Sequence, residues 1–317
     1  MPSIGSQAAR GTAWMMGARQ SVRILGLIST FVLARLLLPE DFGLVAQAML
    51  ILGFIELIGA FGFELSLIQN HEAGRAEYDT AWTLNIIKSA LISAIMAGIA
   101  APMAYFFEEP RLENIIYALA AISLIRGWAN IGTVDFRKQM RFAPEFVLMV
   151  APKLVGIIFN IAFAIYLKSY WALVIGWTAN NIATLAFSLI ASRYRPRFNL
   201  SVWREMFGFS SWVVITQYVS FIFRQAPIFF IGKMAGTSEV GFYRMAADIS
   251  DFVSAEIYLP AMRVLYPAFA KEKERAAGLY IDAVGICFMV VAPACIGIAM
   301  IAKPAVQILL GEVWLPI

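Results

Sequence analysis

The sequence predicts an all-α, polytopic integral membrane protein of about nine transmembrane helices, on three observations. Of its 317 residues 61% are hydrophobic and only 15% charged, whereas soluble domains carry about a quarter charged residues. The apolar residues lie in long blocks rather than in periodic stripes. Blocks of about 18 or more are long enough to cross a hydrocarbon core of ~30 Å as helices. Finally, the breaks between blocks are short, and the longest is the basic stretch Ser192–Arg204. No extramembrane catalytic domain fits between the spans.

The first block covers 13–38. The preceding stretch, MPSIGSQAARGTAWMMGARQ, has basic residues but lacks a short apolar core followed by a small-residue cleavage site, so a retained helix is expected rather than a signal peptide. The next spans are 42–68, 80–107, 114–134, 146–167, 170–191, 210–232, 240–269 and 279–301, and a tenth starts near Pro304. The eighth contains Pro260 and Pro267 and is expected to kink or tilt, because proline removes a helix hydrogen bond.

Loop charge orients these spans. With the N-terminus cytoplasmic, the inner segments hold Arg10, Arg75, Arg137, Lys138, Arg141, Arg193, Arg195, Arg197, Arg204, Lys271, Lys273 and Arg275. The outer loops hold Arg111, Lys168, Lys233 and Lys303. Twelve against four predicts a multi-pass protein with its N-terminus on the cytoplasmic side. The pI of about 9.1 reflects cations scattered over loops and spans. No separate basic domain is left to track a nucleic-acid backbone. Cys287 and Cys295 fall within one apolar block and read as small membrane hydrophobes. His71 is the single histidine, and one imidazole is a poor metal site, so neither metal nor cofactor is expected.

Leu33–Met49 aligns with Ile231–Ala247 at an offset of 198 residues: Arg35 meets Lys233, Asp41 meets Glu239, Gly43 meets Gly241 and Ala48 meets Ala246. Any two membrane hairpins share a charged turn and a glycine. The alternative is a parallel duplication of a six-span unit, a known transporter arrangement. The expected division is a six-helix lobe at 1–198 and a partial second lobe at 199–317, holding spans seven to nine and the start of ten.

Nine of the 25 cations lie within the spans: Arg19, Arg23, Arg35, Lys88, Arg126, Lys153, Arg224, Arg244 and Arg263. Arg19 and Arg35 are near helix ends and can snorkel to the interface. A central Arg or Lys facing lipid costs about 2.5–3.5 kcal/mol, so the others should pair with acids or face a water-filled cavity. Helical spacing puts Arg126 with Asn130, Lys153 with Asn160, Gln217 with Arg224, and Asn85 with Lys88 on common faces. Arg23, Lys88, Arg126, Lys153 and Arg224 are left unpaired and become the candidate cavity residues. Helix-to-helix hydrogen bonding to backbone carbonyls is the alternative for any one of them. A cationic cavity suits an anionic substrate, phosphate or pyrophosphate above all. Arg244 is followed by Asp248 and Asp251, read either as a self-neutralising pair or as an ion-coupling group. Glu56 and Glu64 on span two are similarly ambiguous, either pairing with a cation of span one or coupling an ion.

ARLLLPEDFGLVAQA after the first span resembles the signature turn of Wzx-type polysaccharide exporters, in the multidrug/oligosaccharidyl-lipid/polysaccharide flippase superfamily. FRKQMRF, WALVIGW, RPRFNLSVWREMFGFSSW, IGKMAGTSEVGFYRMA and LYPAFAKEKE follow in the family's order, and the similarity covers essentially the whole chain. The resemblance implies two lobes of six or more helices around a central cavity. It implies alternating access and a polyprenyl-pyrophosphate-linked oligosaccharide repeat unit as substrate, moved for surface or exopolysaccharide assembly, including lipopolysaccharide. Membrane lipids and polysaccharide polymerase machinery are the implied partners, and no enzymatic step is implied. The chain departs from the family at RQAPIFF in span seven, where many relatives have an acid. It also ends at WLPI, where relatives continue, so a shortened product is expected. Competing readings are a cation-coupled drug antiporter of the same superfamily, a membrane-embedded glycosyl- or acyltransferase on lipid-linked sugars, and a non-transporting assembly scaffold. The first predicts a more acidic, aromatic cavity, and the second an interfacial acidic cluster that the short loops lack.

Overall fold

The computed structural model describes residues 4–58, 63–70, 72–206, 211–250 and 276–317. They are helical almost throughout, with no strand among the described residues. The chain forms two compact units, Met1–Val240 and Gly241–Ile317.

In the first unit, α1 (Ile4–Leu36) turns into α2 (Pro39–Ile58), followed by the short α3 (Phe63–Gln69). α4 (Arg75–Phe106) and α5 (Arg111–Gly127) form a hairpin, and a 3-10 turn (Ile131–Thr133) leads into α6 (Val134–Lys138). α7 (Phe142–Leu167) and α8 (Trp171–Ala191) form the next hairpin. A strap then runs to α9 (Trp203–Met206) and α10 (Ser211–Met234), and the described part of α11 covers 237–250. α7 packs along α8, α4 along α5, α1 along α7 and α10 along α2. Contacts between turns define two ends of this unit. At the upper end, Asp41 accepts from the Tyr170 backbone N–H at 2.8 Å and Lys233 meets Glu108 at 2.8 Å. At the lower end, Lys138 donates to the Asn70 carbonyl at 2.9 Å and Arg75 to the Arg195 carbonyl at 3.2 Å.

Burial follows the membrane logic of the sequence. Upper-end apolar contacts centre on Leu33, Leu37, Ala164 and Ala172, and lower-end ones on Phe63, Leu67, Trp82, Ile131, Val134 and Met206. The outward faces stay apolar as well: Ile158, Ile165 and Phe223 are exposed, which suits lipid and not water. Tyr105 and Tyr166, at the upper ends of α4 and α7, are exposed too, at the depth where amphipathic rings favour the membrane interface. Helix pairs approach closely through small residues. A Cβ on Gly156 would come 2.9 Å from the Gly176 carbonyl, and one on Gly176 would come 2.3 Å from Asn160 Cγ.

α4, α7 and α8 are each long and apolar enough to cross a membrane, and five spans result if each of two bent helix pairs counts as one. The expected nine are not reached among the described residues. The span expected over 42–68 is described over 39–58 and 63–69. One span boundary needs correction. The fourth span, expected to run unbroken over 114–134, stops at Gly127 and bends by 63° into the following segment. Pro260 and Pro267 lie outside the described residues. The two aligned hairpins match element for element: Arg35 and Lys233 sit in the last turns of α1 and α10, and Gly43 and Gly241 in the first turns of α2 and α11.

The second unit holds the rest of α11, α12 (Ala276–Leu309) and a 3-10 turn (Glu312–Trp314). α12, which contains Pro293 and Pro304, bends by 49° between 291–297 and 299–309. Trp314 is fully buried, its ring edge-on to Phe242 with centroids 6.0 Å apart. Gly311 allows that fold-back with a left-handed φ of 107°.

Candidate functional site

α2 and α10 pack along each other. Gly53 sits so close to Phe221 that a Cβ there would come 2.8 Å from the ring. Below this contact, Leu57 of α2 and Thr216, Gln217, Ser220, Phe221 and Arg224 of α10 line a cavity of about 590 Å³. Positions 217, 220, 221 and 224 recur at helical spacing and share a face. Gln217 and Arg224 therefore line one wall, as their spacing predicts. Arg224 is exposed and donates to the Ser220 carbonyl at 3.3 Å, which leaves most of its guanidinium donors free for a ligand.

The other four predicted cations do not line that cavity. Arg126 forms an ion pair with Glu56 at 2.7 Å. The pair joins α5 to α2 beside Leu57 of the cavity wall, and Glu56 thus pairs with span four rather than span one. Arg126 does not share a helix face with Asn130 either, because α5 ends between them. Lys153 is half-buried on α7, its Cε 4.0 Å from where a Cβ on Gly26 of α1 would lie. Asn160 instead faces Gly176 of α8, so the Lys153–Asn160 stripe divides between two neighbours. Arg23 and Lys88 are partly buried on α1 and α4, and both have interaction partners. Asp248 pairs with Arg244 at 2.8 Å, one helical turn apart. Glu64 lies on α3, and Asp251 is outside the described residues.

The structure also brings together groups that the sequence does not pair. Asn130, 1% exposed, fills the break after α5. Its Oδ1 accepts from the Gly132 N–H at 2.9 Å, its Nδ2 donates to the Tyr194 carbonyl at 2.8 Å, and its own N–H donates to Ser188 Oγ at 3.0 Å. An interrupted helix in an apolar setting needs such partners for its freed backbone groups. Next to it the strap 192–202 is fastened to α4. Asp79, 5% exposed, accepts from the Arg197 N–H at 2.8 Å and from the Tyr194 hydroxyl, while Thr83 Oγ1 accepts from the Asn199 N–H at 3.0 Å. Burial, with the Asp79 bond second, pushes the Tyr194 hydroxyl pKa up, keeping it a donor. Tyr78 likewise donates to Asp135.

At the upper end Lys233 Nζ donates to Glu108 Oε1 and to the Phe106 carbonyl, each at 2.8 Å. The lysine's hydrogen bond, with its charge second, holds the Glu108 carboxyl below the ordinary glutamate range. Glu108 ends α4 with a left-handed φ of 58°, and bonds from Glu109 N to Ala104 O and from Glu108 N to Tyr105 O close the helix. Glycine is usual at that position of a Schellman motif, and another residue costs about 1–2 kcal/mol there. Beside it Arg111 binds both Glu109 and Glu40. Its hydrogen bond to Glu109 holds that carboxyl low. Arg126–Glu56 and Lys233–Glu108 stand 70 and 125 positions apart in sequence, and no local spacing announces them.

The family described as polysaccharide biosynthesis protein matches residues 32–317. Over 99% of its length the chain is 23% identical to the succinoglycan biosynthesis transport protein ExoT of Rhizobium meliloti, covering 65% of that protein. It is 21% identical to the lipopolysaccharide biosynthesis protein WzxC of Escherichia coli, with 98% of this chain and 65% of the relative covered. With the teichuronic acid biosynthesis protein TuaB of Bacillus subtilis it shares 22% identity over 99% of its own length and 67% of the relative's. No solved structure is significantly similar. The chain thus spans about two-thirds of the length of these relatives. A family match over nearly the whole sequence, on a helical frame whose outward faces are apolar, places this chain in the polysaccharide biosynthesis protein family.

Proposed function

We propose that the protein flips a polyprenyl-pyrophosphate-linked oligosaccharide repeat unit across the bacterial inner membrane by alternating access, for surface polysaccharide assembly. The N-terminus lies in the cytoplasm, and lobes at 1–198 and 199–317 move against each other. The observation that carries this reading is the cavity between α2 and α10, where Arg224 stands among Thr216, Gln217 and Ser220. A guanidinium with unsatisfied donors beside neutral hydroxyl and amide groups fits a pyrophosphate and its first sugars. The lipid tail stays in the bilayer, and no residue is assigned a covalent step. Arg23, Lys88, Arg126 and Lys153 line the path of the headgroup when the helices rearrange. Glu56 is the acid we favour for ion coupling, because protonating it would release Arg126 next to the cavity wall; Glu64, Asp248 and Asp251 are the other candidates.

Deleting the gene should trap lipid-linked repeat units on the cytoplasmic leaflet. Unchanged amounts and sidedness of those units would refute the function. In the complete protein, Arg224→Ala should lower transport about tenfold or more at unchanged protein level, since a charged hydrogen bond is worth about 1.5–3 kcal/mol. Glu56→Gln should remove the dependence on an imposed ion gradient; retained dependence would exclude this acid.

A further inference from the structure

We propose that the upper end of the α2–α10 cavity is held shut by a releasable catch, with Glu108–Lys233 as its latch, Phe106, Phe107 and Phe229 as its seal, and Gln47 as a built-in opposing strain. The inference rests on the transport reading of that cavity and assigns the part that controls access to it.

Three layers build the catch. Outermost, Lys233 ties α10 to the turn after α4 through the Glu108 carboxylate and the Phe106 carbonyl, both at 2.8 Å, and lies 5.1 Å over the Phe106 ring. One turn deeper, Phe229 stacks on Phe106 at 5.5 Å and meets Phe107 edge-on at 5.9 Å. Then Gly232 lets α10 close on α2: a Cβ there would sit 2.5 Å from Gln47 Nε2 and 3.3 Å from Phe107 Cε1. The cavity opens upward only when α10 leaves both α2 and the 106–108 turn.

The latch is suited to release. Glu108 is 80% and Lys233 37% exposed at the side chain, so water screens the pair and can replace it. Glu108 also occupies a left-handed position that glycine fills without strain; its side chain is what the position gains in exchange. Gln47 supplies the opposing force. It is fully buried at the α2–α10 contact, and neither its amide nitrogen nor its amide oxygen has a partner. A buried amide without hydrogen bonds disfavours the closed arrangement, and parting the helices hydrates it. Apolar sealing and polar strain thus act on the same helix pair with opposite sign, which keeps closed and open arrangements near balance.

The test uses the complete protein with Cys287→Ser and Cys295→Ser, carrying Glu108→Cys, Lys233→Cys and Ser220→Cys. Vesicles of both orientations receive a membrane-impermeant maleimide, before and after cross-linking of positions 108 and 233. In the uncross-linked protein, Ser220→Cys should react from the face that bears the 107–110 turn. Cross-linking should cut that reaction at least tenfold, and reversing the link should restore it. Reaction that persists through a complete cross-link, or that never occurs without one, overturns the catch. Gln47→Leu should slow labelling from that face several-fold at unchanged protein level, and unchanged or faster labelling refutes Gln47's role. Labelling needs no substrate. A gated cavity without any effect on lipid-linked oligosaccharide would therefore sink the transport reading alone.

Discussion

A single side chain at the end of α4 makes the residue-scale argument testable by pH. Lys233 holds the Glu108 carboxyl below its ordinary range, so the group is more acidic in the folded, closed state. Its contribution is complete above the unfolded-state glutamate value and fades as pH falls through the depressed folded value. Glu109, held low by Arg111, titrates in the same direction, and Glu40 shares that arginine. Labelling of Ser220→Cys from the 107–110 face should thus be flat around neutrality and rise under acid, and Glu108→Gln should be fast already at neutral pH. An acid-induced rise that survives in Glu108→Gln would assign the effect to Glu109–Arg111–Glu40. Asn130 gives the second residue-scale prediction. Asn130→Ala deletes two side-chain bonds and strands the buried Gly132 N–H, while the Tyr194 carbonyl keeps the Arg195 guanidinium at 3.1 Å, for a loss of about 2 kcal/mol, visible as a lower Tm of the purified protein. What the sequence discloses at this scale depends on separation along the chain. Gln217 and Arg224 lie on one unbroken helix and were legible from spacing. Arg126 and Glu56 find each other across 70 residues, so Arg126 looked unpaired.

Among elements, the apolar blocks gave away the helices but not their interruptions. Gly127–Trp128–Ala129–Asn130–Ile131 reads as a continuous membrane segment, yet α5 ends at Gly127 and Asn130 takes up the freed backbone groups. The one clue was a lone amide in an apolar run, and helical spacing assigned it to a stripe with Arg126 instead. Helix pairing obeys a simpler rule. In lipid there is no hydrophobic drive between helices, so close packing at small residues carries the association. Gly156 and Gly176 bring α7 and α8 together, with the Asn160 and Asn180 side chains filling the remaining space. Gly176→Leu would put a branched side chain where Asn160 Cγ lies 2.3 Å from even a Cβ. It should abolish accumulation of folded protein, seen as loss of the monodisperse peak in detergent, whereas Gly17→Leu on α1, with nothing within 4 Å, should leave that peak intact.

At the scale of the whole molecule, the strap 192–202 joins two inferences that the sequence leaves separate: which face is cytoplasmic, and where the proposed lobes meet. It carries Arg193, Arg195 and Arg197, part of the charge excess that predicts an N-terminus-in orientation. It also spans the proposed boundary at 198/199, yet it does not hang free there. The Arg197 N–H is bonded to Asp79 and the Asn199 N–H to Thr83, so the first lobe holds the connector up to its last residues. Any movement of one lobe against the other must then be absorbed beyond Asn199, or the strap must detach. Limited trypsin digestion addresses both points. Cleavage after Arg197 should be slow in the intact protein, because a protease needs an extended, released backbone, and it should occur only in inside-out vesicles. Asp79→Ala removes the acceptor for both the Arg197 N–H and the Tyr194 hydroxyl, and should speed that cleavage several-fold from the same side only. Faster cleavage from the opposite face would reverse the orientation, while an unchanged rate in Asp79→Ala would mean that the strap is retained by Thr83 and by the Asn130 contact to Tyr194. The buried carboxylate would then be a local support of α4 rather than the clamp on the connector.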